Sequence, residues 1–443
     1  MTQSVIVQVG QCGNQVGCRF WDLALREHAH VNKKGQYDEA LSSFFRNCTS
    51  GALLTYLHPQ AVLIDMEEGV VNGILQGALR EVFDSAQFLT DVSGSGNNWA
   101  VGNLTYGSAY KELIVDKLRK AAEHCDCLQC FFLIHSMGGG TGSGLGTRVL
   151  SLLEEEFPDV CRIVTAMYPS AEDDVITSPY NSVLAMRELT EHADCVLPVE
   201  NQSLVNIVNK ISLMSHGTKP GSVLRKDSAV TSGQGSLSPT EKPFDAMNNI
   251  VANLLLNITS SARFEGSLNM DLNEIAMNLV PFPRLHYLVP SLTPLYTLAD
   301  VNIPTRRLDQ MFSDAFSKDH QLIQADPKHS LYLACALMVR GNVQVSDLRF
   351  ASPTPTDPKM TSTFLLSNNT PIQQSFMTLR SFNIFLLLSF QAHLHHYLHV
   401  DGMDQSIFSE SLSSLNALID EYHHLDATKA RLLPDAPRLS IAR

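Results

Sequence analysis

Apolar positions along the first 200 residues switch between two periods. Residues 4–9 (SVIVQV) are β-branched and short, which predicts a strand. Residues 11–27 follow with Val16, Phe20 and Leu23 on one helical face. Continuous apolar runs at 61–65 (AVLID), 130–135 (CFFLIH), 162–168 (RIVTAMY) and 194–199 (DCVLPV) predict further buried strands. Helical patterns lie at about 142–157 and 179–192. Apolar strands alternating with helices point to an α/β fold, a Rossmann-like parallel sheet covered on both faces. Right-handed crossovers then bring the loops after the strands to one edge, where ligands bind in such sheets.

Residues 212–242 lose all periodicity and are rich in Ser, Gly, Thr, Lys and Pro, which predicts a surface loop. Phe244, Met247, Val251, Leu254 and Ile258 then recur at helical spacing, widened by Ile250, Leu255 and Leu256. A helix that apolar belongs between layers. Strands are expected at 284–289 and 331–339 with a helix at 308–316 between them, and residues 350–375 show no pattern. Phe408, Leu412, Leu415, Ile419 and Tyr422 predict a C-terminal amphipathic helix. The organisation expected is an α/β part at 1–210, a loop at 211–243, and a long central helix at 244–262. A second αβ part at 263–390, with 350–390 divergent, and C-terminal helices with a tail at 391–443 complete it.

Composition narrows the class. The 443 residues carry a net charge of −13, with 17% charged and 44% apolar residues. Low charge and high apolar content exclude a disordered chain. The acidic balance argues against nucleic-acid binding through bulk positive charge. No apolar run reaches the roughly 18–20 residues that span a bilayer, so no membrane helix is expected. The opening MTQSVIVQVG has neither a basic nor an apolar leader region, so no signal peptide is expected. Nine scattered cysteines suit a reducing compartment.

The candidate chemistry sits in three strand-to-helix turns. Gly138, Gly139, Gly140, Thr141, Gly142, Ser143 and Gly144 follow strand 130–135 and precede a helix. Five glycines in seven residues let backbone N–H groups converge on an anion, reinforced by the helix dipole. The loop is neither a Walker A sequence nor G-x-G-x-x-G, because Leu145 occupies the position the last glycine would need. A plain tight turn is the alternative. Residues 93–99 (SGSGNNW) and 10–15 (GQCGNQ) are further turns on the same expected edge. GQCGNQ also fails the dinucleotide fingerprint. Asp65 and Glu67 end strand 61–65, where hard oxygen ligands suit Mg²⁺, although helix-capping acids would read the same way. Cys125, Cys127 and Cys130 have metal-like spacing but no second pair, and Cys130 falls inside a strand. His393, His395 and His396, and His423 and His424, read as helix-face residues.

Taken in order, GQCGNQ at 10–15, GSGNNWAVG at 94–102, HCDCLQ at 124–129, HSMGGGTGSGLGT at 135–147, SPYNS at 178–182 and RFEGSLNMDL at 263–272 resemble the loop motifs of the tubulin superfamily. The likeness covers residues 1–48, 61–210, 243–348 and 391–428. It implies the tubulin fold with GTP or GDP and Mg²⁺ as ligands. By that resemblance Gln11 and Cys12 lie near the phosphates and base, and Asn98 assists from the second glycine-rich turn. Ser136 and the 138–144 loop cradle phosphate, and Glu67 with Asp65 faces the metal. Asp174 meets ribose, Asn201 and Asn248 read guanine, and Phe244 stacks on it. Residues 266–274 would cover the nucleotide of the next subunit, with Glu274 assisting hydrolysis there. Read without the family, Glu274 is a solvated helix residue. Unlike the alpha and beta chains, this chain has a long 212–242 loop and no Glu-rich tail. The implied setting is the cytoplasmic cytoskeleton at centrosomes, centrioles and basal bodies, with other tubulin subunits and centriolar proteins as partners, and no nucleic acid or membrane.

Overall fold

The computed structural model describes residues 2–47, 57–170, 173, 175–216, 244–264, 266, 269–295, 308–325, 331–341, 362–370, 372–380 and 391–429. Asp174, the stretch from 217 to 243, residues 342–361 and 381–390 and the tail after 429 lie outside them. So do the expectations placed there.

Eleven strands are described: β1 (Gln3–Val9), β2 (Phe45–Asn47), β3 (Leu57–Pro59), β4 (Ala61–Asp65), β5 (Phe88–Thr90), β6 (Leu128–Ser136), β7 (Cys161–Tyr168), β8 (Cys195–Glu200), β9 (Val289–Thr293), β10 (Tyr332–Arg340) and β11 (Ser362–Asn369). Six form a parallel sheet in the order β5-β4-β1-β6-β7-β8. The order reverses at β1, so the crevice beyond the C-terminal ends of β1 and β6 is the topological switch point.

The strands alternate their side chains between two cores. Val5, Val7, Phe131, Leu133, Val164 and Ala166 face the core under the helices Gly146–Glu156 and Ser178–His192. Ile6, Leu63, Phe132, Ile134, Leu197 and Val199 face the core under helices Gly10–Val31 and Asp245–Ile258. Every one of these side chains is almost wholly buried, which is why the strands read as unbroken apolar runs. The central helix, Asp245–Ile258, buries Met247, Ile250, Val251, Leu254, Leu255, Leu256 and Ile258 of its expected face, while Phe244, the first residue of that pattern, stays exposed.

The second unit is a three-stranded antiparallel sheet, β10-β11-β9. Its middle strand corrects the reading of 350–375 as patternless, since 362–369 pairs on both sides. Polar residues hide it: Asn368 is fully buried and spends its amide on the carbonyls of Leu279 (3.0 Å) and Leu285 (2.6 Å). The strand expected at 284–289 instead begins at Val289. Tyr287 and its neighbours meet β8 at a single bridge, through Val196 N–H to His286 O (2.9 Å) and Leu288 N–H to Val196 O (2.8 Å). The loop expected from 211 is also corrected at its start. Helix Asn201–His216 runs on, and after Leu204 and Ile207 its apolar face continues through Val208 and Ile211, which pack against the core.

Helix Gln405–Lys429 lies over helix Ser178–His192 as an outer layer. Tyr180 packs its ring edge against Phe408, centroids 5.4 Å apart, and Arg187 reaches Glu410 at 3.4 Å. No helix among the described residues is long and apolar enough to cross a membrane.

Candidate functional site

Two helices start at the switch point without a side-chain cap. One begins at Gly10, directly after β1, and the other winds up from Thr141 through a wide turn into Gly146–Glu156. The first N–H groups of a helix have no intrahelical partner, and each N-terminus carries about half a positive charge. Here the two starts touch: a Cβ built on Gly10 would stand 3.1 Å from the Gly142 nitrogen. Gly10 also has φ +74°, a conformation that glycine alone adopts without strain. Two uncapped positive ends converging on one point suit an anion.

The glycines of the 138–144 loop divide by task. A Cβ on Gly142 would strike Ser136, at 3.0 Å from its backbone nitrogen and closer still to its Oγ. On Gly140 and Gly144 it would strike the backbones of Asn98 and Trp99. These positions let the loop pack against its neighbours. Gly139 is different: the nearest atoms, Asn97 Oδ1 and Ser136 Oγ, are 3.7 and 3.8 Å away. Ser143 Oγ donates to Gly139 O, and Thr141 Oγ1 meets Ser95 Oγ at 2.8 Å.

Asn181 holds the loops together, a task that sequence reading missed. Its amide donates to Asn97 O (2.8 Å) and Gly138 O (2.9 Å), and its oxygen accepts from Trp99 N–H (2.9 Å) and Tyr397 O–H (2.6 Å). The residue sits in the SPYNS segment, so its motif was visible while its partners, distant in sequence, were not. Asn98 is likewise committed to protein: its amide donates to His396 O (2.9 Å) and its oxygen accepts from Ala100 N–H (2.9 Å). A cleft of about 710 Å³ opens beside these loops, lined by Gly96, Asn97, Ile176, His393, His396 and Tyr397 among others.

On the other side of β1, Asp65 ends β4 almost wholly buried. Its Oδ1 accepts from Glu67 N–H (3.3 Å), while Oδ2 has no partner. Burial pushes its carboxyl up from 3.8 to about 6, against hydrogen bonding from the Glu67 and Met66 backbone and the Asn14 side chain. An orphaned carboxylate oxygen beside an anion site fits a divalent cation, which would supply the missing partner. Glu67 is exposed and lies against Gly94 of the neighbouring turn.

Gln11 is exposed and Cys12 half-buried at the first turn; burial pushes the Cys12 thiol up to about 12, so it stays neutral. His135, directly before the loop, is also kept neutral, its pKa lowered by burial to about 4. Asn201 opens the helix after β8, half-buried. Phe244, at the start of the central helix, is 52% exposed, and Asn248 one turn on is buried. The first and central helices run the same way: Arg19 bonds Asn249 (3.1 Å), and farther along Glu27 pairs with Arg263 (2.7 Å). Phe244 and Asn248 therefore stand at the same end as Gln11 and Cys12.

Glu274 is elsewhere. It is exposed in helix Leu272–Leu279, where Asp271 N–H donates to its Oε2 (3.3 Å) in a capping box. Asp271 in turn bonds Gln129, at the start of β6. The glycine loop follows the other end of that nine-residue strand. At a rise of about 3.3 Å per residue, some 25 Å separates them. Among the described residues no group of three His, Cys, Asp or Glu is arranged to hold a metal ion.

Comparison with known proteins agrees with this architecture. The family model for the GTPase domain of the tubulin/FtsZ family matches residues 3–209, and the tubulin C-terminal domain model matches residues 283–354. The chain is 65% identical to the tubulin epsilon chain of Mus musculus and 64% identical to that of Homo sapiens, each over the whole of both chains. It is 32% identical to the tubulin beta chain of Encephalitozoon cuniculi over 97% of this chain and 98% of that one.

Proposed function

The chain belongs to the tubulin family, and from that premise we propose that it binds GTP at the switch point and completes hydrolysis only between subunits. The observation that carries this is the separation along β6. The segment bearing Glu274 meets the start of β6 and the glycine loop follows the end of that strand, about 25 Å along it, which sets Glu274 away from the glycine loop of its own chain. Stacked head to tail, one chain's Glu274 meets its neighbour's cradle.

In this reading the loops at 10–12 and 138–144 present backbone N–H groups to the phosphates. Asn201 and Asn248 offer donor and acceptor to guanine, Phe244 covers its face, and Asp174 meets the ribose. Asp65 and Glu67 hold Mg²⁺, which would neutralise phosphate charge. Glu274 orients the attacking water from the neighbouring chain. The setting is the cytoskeleton at centrioles and basal bodies, with other tubulin subunits and centriolar proteins as partners. A second reading keeps GTP as a structural ligand only. It draws on the capping box, which already gives the Glu274 carboxylate a structural task.

The test is to identify the nucleotide released from purified protein and follow its turnover against protein concentration. A guanine nucleotide with turnover that rises on assembly, and is lost in Glu274→Ala, supports the first reading. Assembly without turnover supports the second. Fast turnover in a dilute monomer refutes the trans arrangement.

A further inference from the structure

Three charged side chains from three parts of the fold meet behind the Glu274 segment. Arg263, just past the central helix, is fully buried. It donates to Glu27 Oε2 (2.7 Å), to Thr259 Oγ1 (3.0 Å) and to Leu256 O (2.7 Å). Arg340, at the end of β10 in the second sheet, donates to the other oxygen, Glu27 Oε1, at 2.8 Å. The ring of Phe264 lies 5.1 Å from the Arg263 guanidinium carbon and 5.4 Å from that of Arg340, and His28 stacks on it at 4.8 Å. Burial alone would raise the Glu27 carboxyl, but the two arginines outweigh it and hold it below its ordinary value.

This ion group, with Arg263 buried and Glu27 and Arg340 half-buried, is a poor source of stability, because desolvation offsets the attraction. What it supplies is geometry. The chain leaves this cluster at Phe264 and is tied back to it. Asn269 donates to the carbonyls of Phe264 and Ser261, both at 2.9 Å, and Ser261 Oγ donates to Met270 O at 2.8 Å. Asp271 follows, capping the helix that bears Glu274.

We propose that Glu27, Arg263 and Arg340, closed around Phe264, are positioning residues that set where residues 269–274 stand. The first and central helices both begin at the nucleotide edge and both end in this clamp. It therefore ties the segment to that edge as well as to the second sheet. The positioning is a property of the single chain; only its catalytic consequence rests on the proposed function.

Arg340→Gln in the full-length chain tests it, with Arg340→Lys as the conservative variant. Amide hydrogen exchange at 269–274 should accelerate at least tenfold, exchange at 10–15 should not change, and GTP affinity should stay within twofold. Arg340→Lys should restore most of the protection. Assembly-stimulated turnover in Arg340→Gln should lose at least tenfold in kcat with KM for GTP unchanged. Unaltered exchange at 269–274, or acceleration shared equally with 10–15, overturns the clamp. If the wild-type chain shows no assembly-stimulated turnover, the trans-hydrolysis reading fails, and the exchange result alone decides the clamp. Should Arg340→Gln not fold, Glu27→Gln, which breaks both ion pairs while keeping the side-chain shape, is judged by the same criteria.

Discussion

Replacing Asp65 by asparagine removes a buried negative charge whose Oδ2 has no protein partner. Burial raises its carboxyl from 3.8 to about 6 in the folded chain. An acid with a raised folded pKa contributes full stability below its unfolded pKa and loses that contribution as pH rises through the folded one. The loss here falls between about pH 4 and pH 6. At about 1.4 kcal/mol for each tenfold change in proton affinity, the ionised form costs about 3 kcal/mol at neutral pH. The asparagine side chain carries no charge and keeps the same shape. Without nucleotide and with metal chelated, Asp65→Asn should therefore be more stable than wild type at pH 7.5, by about 1–3 kcal/mol, and level with it near pH 4. Adding Mg²⁺ and GTP should reverse the order, because wild type gains a cation to balance the charge and the variant does not. Urea denaturation across pH 4–8, with and without Mg²⁺ and GTP, measures both. A variant less stable than wild type under chelation at pH 7.5, or an equal gain from Mg²⁺ in the two proteins, refutes the reasoning.

Other changes separate loop packing from ligand contact. Gly142→Ala should cost about 1–3 kcal/mol in denaturant melts, since its Cβ meets the Ser136 backbone, whereas Gly139→Ala should be neutral in stability but weaken GTP binding in a titration. Asn181→Ala strips partners from Trp99 N–H and Tyr397 O–H, so it should lower stability by about 2–4 kcal/mol and GTP affinity with it; unchanged melts would mean that the loops do not depend on this amide. His192 is raised to about 8 by Glu188 (3.4 Å) and then Glu154 (2.5 Å), against burial. Its stabilisation is complete below about pH 6.5 and lost as pH rises through 8, so His192→Gln should lower stability by about 1 kcal/mol at pH 6 and leave it unchanged at pH 9.

Much of the nucleotide half was legible because its signals are local. Strands buried on both faces read as apolar runs, the central helix as a 3.6-residue period, and the 138–144 turn as glycines between a strand and a helix. Even there, glycine content alone did not separate positions. Gly139 is open while Gly140, Gly142 and Gly144 press on neighbouring backbones, a distinction that depends on atoms from other loops. The second half was less legible. β11 carries the buried Asn368, whose partners, the carbonyls of Leu279 and Leu285, lie more than 80 residues away.

The sequence by itself determined the layered α/β plan, the edge where the loops gather and the family likeness, because each follows from periodicity or from contiguous motifs. Only the tertiary structure decided that Asp65 keeps an unpartnered oxygen, that Asn181 binds four groups from three segments, and that Arg263 and Arg340 share Glu27. It also put Glu274 a strand's length from the glycine loop. Burial and long-range hydrogen bonding depend on which distant segments fold together, and short-range patterns in a chain do not carry that information.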